Sequence, residues 1–214
     1  MKYLYTVLFV ILSFGIFAQS FPESPFIYPS LLSKEDATVR LMNRINQYRA
    51  ENGLSPFKLD TAMTNACAYH CNFKSLDTIK SSLHVEPYQS NANEYMASIG
   101  NFESRMKHFK VRLIGNSFGE ICCKAPGNVL DNPAYSKYAI QMGESCKNGK
   151  CDPSSVTELV FNMWKSSKSH NASMLRENAR ISGCYQYVYY KDGIYWVMAT
   201  ALLNSHKPYD PSSD

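Results

Sequence analysis

Two side chains in this sequence have surroundings that suit chemistry, those of His170 and Glu120. His170 follows residues 155–168, in which apolar side chains recur at steps of three and four, as in a helix. An imidazole just beyond a helix end, followed by small polar residues, can face a cleft and titrate near neutral pH. Glu120 lies between Gly119 and apolar neighbours, where a carboxylate needs a partner. Each signal is weak alone, because a histidine at a helix end more often caps a carbonyl.

Seven cysteines form a second group, and their odd number leaves at least one thiol free. They are Cys67, Cys71, Cys122, Cys123, Cys146, Cys151 and Cys184. In an oxidising compartment disulfides are the default interpretation. Cys146 and Cys151 flank Asn148-Gly149, a tight-turn signal, which predicts a disulfide between these two cysteines.

The adjacent residues Cys122 and Cys123 are predicted to have different partners. Neighbours in an extended strand point to opposite faces of the sheet. Cys67, Cys71 and Cys184 are the candidate partners, and the sequence leaves the choice open. A zinc cluster is the competing interpretation, but C-x3-C followed by C-C lacks the two C-x2-C knuckles of structural zinc sites.

The N-terminus has the pattern of a secretory signal peptide. Lys2 precedes an apolar run over residues 4–17, and Ala18 precedes the expected cut, so residues 1–18 are left out of the fold. The run is shorter than the about 20 residues of a membrane-spanning helix, and the rest of the sequence offers no longer one, which predicts no stable membrane span. The protein is therefore expected to be secreted, either extracellular or periplasmic.

Length and charge narrow the class of protein further. Removing 18 of the 214 residues leaves 196, enough for one domain with a sizeable core. Loss of Lys2 lowers the formal charge from +4 to +3, and no basic arm accompanies it, which argues against a nucleic-acid partner. The expected organisation is an extended lead-in at 19–33, one domain at 34–204 and a flexible tail at 205–214. An insertion at about 124–154 would contain a short helix.

The first two helices have clear starts. Ser33 and Asp36 resemble a capping box, and an apolar stripe continues from there to Gly53, which predicts a helix over 34–52. Asp60 is the predicted cap of a second helix that runs to about Lys74. One side of it carries Met63, Ala66, Cys67 and His70. A packed or surface histidine is the preferred interpretation of His70, ahead of a ligand.

Residues 94–113 are predicted to form one helix with a ragged end. Its basic residues, which alternate with apolar ones, are Arg105, Lys107, Lys110 and Arg112. They could attract an anionic surface, but a solvated basic face is the preferred interpretation.

Strands follow the helices. Residues 118–123 predict one strand, and residues 183–190 and 194–203 predict a hairpin around Lys191-Asp192-Gly193. Helices followed by an antiparallel hairpin indicate an α+β layered fold rather than a βαβ succession.

The motifs over residues 38–202 come in the order of one known family. NQYRAENGL, from Asn46, is similar to a first helix that ends in Arg-x-x-x-Gly-Leu, and Gly119-Glu120-Ile121 resembles a Gly-Glu-Asn element. Trp164, with His170 six residues later, resembles a bacterial Trp-to-His motif. The chain thus resembles the CAP superfamily, named for cysteine-rich secretory, antigen 5 and pathogenesis-related proteins and also called SCP-like. The resemblance implies a three-layer α-β-α sandwich with a central antiparallel sheet.

The resemblance also implies a central cleft that holds two histidines and one or two glutamates. Carried over by position, these residues are His84, Glu120 and His170. Animal members place a second glutamate where this chain has Ser167. Glu158 on the same predicted helix, or Glu144 in the insertion, is the candidate for that second carboxylate.

Such a cleft has three interpretations: a binding site, a catalytic site or a structural network. Two facing imidazoles, His84 and His170, can hold Zn2+ or another divalent metal with Glu120 nearby. The leading hypothesis is a non-enzymatic binding module for that metal or for a small ligand, with lipid, sterol or a cell-surface component as the classes that the resemblance implies. The alternative is a metal-assisted extracellular hydrolase acting on peptide or cell-surface material, with Glu120 as general base. A buried hydrogen-bond network that only stiffens the cleft is the third interpretation.

Overall fold

The computed structural model describes residues 30–76, 102–111, 118–125, 133–191 and 193–204. The predicted signal peptide, the tail from residue 205 and His84 lie outside these residues. None of the helices within them combines the length and the apolar character needed to cross a bilayer.

The described elements come in a mixed order of helices and strands. The strands are β1 (Lys58–Leu59), β2 (Phe118–Ala125), β3 (Cys146–Lys147), β4 (Lys150–Cys151), β5 (Ile181–Lys191) and β6 (Ile194–Asn204). The helices are α1 (Leu41–Glu51), α2 (Thr61–Leu76), α3 (Phe102–His108), α4 (Pro133–Ser145), α5 (Pro153–Ser166) and α6 (Lys168–Met174). A π-helical turn, Asp36–Arg40, leads directly into α1.

The β5–β6 hairpin forms the middle of a four-stranded sheet with the order β1-β5-β6-β2. Its strands are rich in aromatic and β-branched residues, which suit a pleated and half-buried surface. Gly193 has φ +80° at the turn, a backbone conformation that glycine adopts easily. β2 pairs antiparallel with β6 over its whole length. The two-residue β1 pairs parallel with β5, so the sheet is mixed rather than purely antiparallel.

Helices cover the two faces of this sheet, which confirms the predicted three-layer α-β-α sandwich. α1, α4, α5 and α6 contact the sheet from one side, and α2 contacts β5 and β6 from the other, with α3 packed on α2. The larger core, between the sheet and α1 and α5, includes Leu41, Ile45, Val160, Trp164 and Val197. On the α2 side, Met63, Ala66 and Cys67 pack with Met106 of α3 and Leu202 of β6.

The predicted helix starts at Ser33 and Asp60 are both present. The backbone N–H of Asp36 donates to Ser33 Oγ at 3.1 Å, and Ser33 Oγ donates back to the Asp36 carboxylate at 2.7 Å. Asp60 accepts from the backbone N–H of Met63 at 2.8 Å. These contacts satisfy amide groups that the first turn of a helix leaves without a partner.

The predicted disulfide between Cys146 and Cys151 is also present. The bond joins opposed residues of the β3–β4 hairpin, whose turn residues Asn148 and Gly149 both have positive φ. The other five cysteines are free and buried. Cys122 and Cys123 do point to opposite faces of the sheet, since Cys122 packs with Tyr187 and Met198 while Cys123 belongs to the larger core. The expectation that each has a disulfide partner is not met.

Candidate functional site

α2 places one histidine against the sheet. His70 is one turn beyond Ala66 and Cys67 on the inward face, and its relative exposure is 0%. The helical stripe therefore placed His70 on the inward face, and of the two interpretations, packed or surface, the structure shows the packed one. A buried imidazole retains one donor and one acceptor that need partners.

α3 brings an arginine to the same place. Arg105 has 0% exposure, whereas Lys107 and Lys110 are exposed. The interpretation of this helix as a solvated basic face therefore holds for the lysines and is wrong for Arg105. Arg105 is three residues after Phe102 and next to fully buried Met106, which puts it on the apolar side of the helix. That spacing is the signal that could have found it.

β2 supplies the third side of the site. Glu120 and Cys122 are two residues apart, so their side chains lie on the same face of the strand. The register places them opposite Leu202 and Thr200 of β6. The Sγ atom of Cys122 lies 3.5 Å from the hydroxyl oxygen of Thr200. The predicted candidate Glu120 therefore faces the α2 layer, next to a buried thiol.

One guanidinium joins these elements. Arg105 Nη2 donates to Glu120 Oε1, and Arg105 Nη1 contacts His70 Nδ1. A guanidinium has only donors, so Nδ1 accepts and the ring proton lies on Nε2. The side chains of Arg105 and Glu120 are 0% and 7% exposed. Removing one partner of such an ion pair leaves an uncompensated charge in the interior, so the pair is held in place.

The same residues include a set of metal-ligand types. The ligand atoms of His70, Glu120 and Cys122 all lie within 4.8 Å of one another. Imidazole, carboxylate and thiolate are the ligands that zinc takes in proteins. However, Arg105 contacts Nδ1 of His70 and Oε1 of Glu120, two atoms of the ligand types, through its own N–H groups. With Arg105 in this position the set does not fit a metal ion.

The thiols of the interior are poor nucleophiles. Burial, and next the charge of Glu120, raise the pKa of Cys122 well above its ordinary value. Burial likewise raises the pKa of Cys71 to about 12. Both side chains are therefore thiols at neutral pH, and it is the thiolate that attacks substrates.

His170 lies on a separate short helix rather than in a loop. Ser167 is extended, with φ −90° and ψ 120°, and ends α5 close to the predicted end at residue 168; α6 begins directly after it. His170 is half-buried on α6, which contacts β2. The neighbouring Asn171 accepts from the Tyr48 hydroxyl at 3.1 Å. The convergence of His170, Glu120 and His84 remains a prediction, since His84 lies outside the described residues.

The two candidates for a second carboxylate lie elsewhere. Glu158 accepts from Arg44 Nε at 2.5 Å, a contact between α5 and α1 on the face of the sheet opposite Arg105. Glu144 is exposed on α4. Neither residue takes part in the cluster around Arg105.

An open groove of about 370 Å³ lies between α1 and α5. Its charged residues pair with each other, Arg40 with Asp36 and Arg44 with Glu158. None of the described residues that line it is a histidine or a cysteine. The groove therefore lacks, among the described residues, the imidazole and thiol groups that the α2–α3–β2 cluster contains.

Comparison with known proteins identifies a family. Residues 42–200, well over half of the chain, match the family model described as "CAP: Cysteine-rich secretory protein family". A search of curated protein sequences gives no match.

Several solved structures are similar to this chain at low sequence identity. An outer surface protein of Borrelia burgdorferi is 16% identical with a TM-score of 0.50, over 84% of this chain and 99% of that protein. The CAP domain of enterococcal PrgA is 14% identical with a TM-score of 0.46, over 83% of this chain and 64% of that one. An extracellular SCP-domain protein of Bacillus anthracis is 13% identical with a TM-score of 0.46, over 78% of this chain and only 40% of its own length.

Proposed function

The chain belongs to the CAP, or cysteine-rich secretory protein, family, and from that premise we propose that it is a secreted, non-enzymatic binding module. The observation that carries the proposal is the buried ion pair between Arg105 and Glu120. Secretion is supported by the signal-peptide pattern of residues 1–18 and by the disulfide between Cys146 and Cys151, a bond typical of oxidising compartments.

The ion pair argues against the hydrolase alternative. A general base must be able to take a proton from water or from a substrate. Protonation of Glu120 would remove the negative charge that is paired with a buried guanidinium, and that guanidinium cannot lose its own proton, so Glu120 is a poor base here. The described thiols in the same place are protonated at neutral pH. The described part of the cluster therefore lacks both an available base and an activated nucleophile.

The ligand of the module is expected in the cleft beside β2. We propose a divalent metal held by His84 and His170. Glu120, which faces the α2 layer, is already paired with Arg105. Two imidazoles without a third protein ligand give modest affinity, because zinc sites in proteins use three or four protein ligands. A small organic molecule of the lipid or sterol class, or a cell-surface component, is the ligand expected if these histidines hold no metal.

Calorimetric titration of zinc into the purified protein, together with assays of peptide and ester hydrolysis, tests this function. We expect zinc binding that weakens at least about 10-fold in His170→Ala, because one of two ligands is lost. Ser169→Ala, at the neighbouring exposed position, is the matched control and is expected to bind as the wild type does. We expect no hydrolysis above background in any of these proteins.

Two outcomes would contradict the proposal in different ways. Zinc-dependent hydrolysis that Glu120→Gln abolishes would show an enzyme. Absence of zinc binding would remove the metal and leave a module for an organic ligand.

A further inference from the structure

We infer that the positive charge of the Arg105 guanidinium excludes metal ions from the cluster formed by His70, Glu120 and Cys122. This inference shares only Glu120 with the proposed metal site, and its test follows the Cys122 thiolate, which is not part of that site. It makes Arg105 the residue that determines what the cluster can bind.

The positive charge of Arg105 lies between His70 and Glu120. Arg105 contacts the histidine nitrogen with one terminal nitrogen and the carboxylate oxygen with the other. A metal bound at Nδ1 of His70 and Oε1 of Glu120 would need the lone pairs on these same two atoms. The guanidinium and the metal would thus compete for one position.

The spacing of the three side chains is close to that of zinc ligands. Ligand atoms around a tetrahedral zinc ion, at about 2.0–2.3 Å from the metal, lie roughly 3.3–3.8 Å from one another. His70, Glu120 and Cys122 have ligand atoms within 4.8 Å, so small side-chain movements would bring them to that spacing. The three residues are an adequate ligand set apart from the arginine between them.

Displacement of the Arg105 side chain by a metal ion is unfavourable. Its side chain is 0% exposed, and a guanidinium stays charged at all ordinary pH values. Moving it away would break its ion pair with Glu120, whose side chain is only 7% exposed. A divalent cation beside an immobile guanidinium would be repelled strongly at this depth.

Cobalt titration of an Arg105→Met variant tests the inference. Met keeps the length of the side chain and removes the charge, so we expect Co2+ to bind with thiolate-to-cobalt charge-transfer absorption from Cys122. The affinity at this site is expected to exceed that of the wild type by at least about 100-fold, because the repulsion is gone. Arg105→Lys, which keeps the charge, is expected to show no such absorption. His70→Ala combined with Arg105→Met is expected to lose it.

Three results would overturn the inference. One is cobalt–thiolate absorption of equal affinity in the wild type and Arg105→Met. Another is a folded Arg105→Met variant, by circular dichroism, that shows no such absorption. If Arg105→Met fails to fold without metal, we expect Zn2+ to restore folding, because a metal that binds only the folded state stabilises it. Failure of Zn2+ to do so is the third contrary result.

Discussion

Arg49→Ala is expected to lower the free energy of unfolding by about 3–5 kcal/mol, because several buried carbonyl oxygens would lose their donor at about 1–3 kcal/mol each. Arg49 is 0% exposed. It donates to Ser55 O at 2.8 Å, Met174 O at 2.7 Å and Arg176 O at 3.1 Å. These bonds tie the end of α1 to the segment between α6 and β5. The loss would be a large share of the roughly 5–15 kcal/mol that stabilises a typical domain.

The charge of Arg49 is part of this role. Burial, and next the charge of Arg180, lower the pKa of Arg49 to about 10, so the group is still protonated at neutral pH. Its guanidinium carbon also lies 3.8 Å from the centre of the Phe57 ring, a cation–π contact. Arg49→Lys keeps the charge but lacks the planar guanidinium. We therefore expect it to lower the free energy of unfolding by less than Arg49→Ala does.

Urea unfolding followed by circular dichroism measures both effects. Arg40→Ala is the matched control, since Arg40 pairs at i,i+4 with Asp36 and its side chain is 47% exposed. Such surface pairs contribute about 0–1 kcal/mol. If Arg49→Ala were no more destabilising than Arg40→Ala, Arg49 would not hold the α6–β5 segment as described.

Gly183→Ala is expected to destabilise the protein by about 3 kcal/mol or more. A β-carbon at this position would lie 2.3 Å from the carbonyl carbon of Met63 and 2.3 Å from the amide nitrogen of Thr64. Both are backbone atoms of α2, so rotation of a side chain cannot relieve the contact. The helix would have to move away from β5, and overpacking of a core typically costs about 1–3 kcal/mol and occasionally more.

The control for this substitution is Gly143→Ala on α4. A β-carbon at Gly143 meets nothing within 4 Å, and alanine is favoured over glycine inside a helix by about 0.8–1.0 kcal/mol. Thermal unfolding should therefore show a lower Tm for Gly183→Ala and an unchanged or higher Tm for Gly143→Ala. Equal effects of the two substitutions would contradict the close approach of α2 to β5.

Local sequence patterns predicted the elements well because their causes are local. The apolar stripe and Asp60 placed α2 and turned His70 inward, and Asn148-Gly149 placed the hairpin with its disulfide. The end of α5 was predicted to within two residues, but the short helix α6 after Ser167 was not predicted, because its small polar residues carry no apolar stripe. The parallel pairing of β1 with β5 depends on residues more than a hundred positions apart, which no local pattern encodes.

The candidate site was predicted only in part, because one of its residues is buried by a tertiary contact. Glu120 was singled out because its apolar surroundings required a partner, and the structure supplies Arg105 as that partner. Arg105 was assigned to the surface because most arginines are exposed. Its burial depends on α3 packing against α2, a tertiary contact, although its position beside Met106 on the apolar stripe was a usable sign.

The most direct test is a crystal structure of the wild-type protein grown with Zn2+, with anomalous diffraction collected at the zinc edge. It shows whether Arg105 or a metal ion lies between His70 and Glu120. We predict the Arg105 guanidinium between His70 and Glu120, with no anomalous peak at these ligands. A zinc peak about 2 Å from His70 Nδ1 and from a Glu120 oxygen, with Arg105 displaced, would contradict the account.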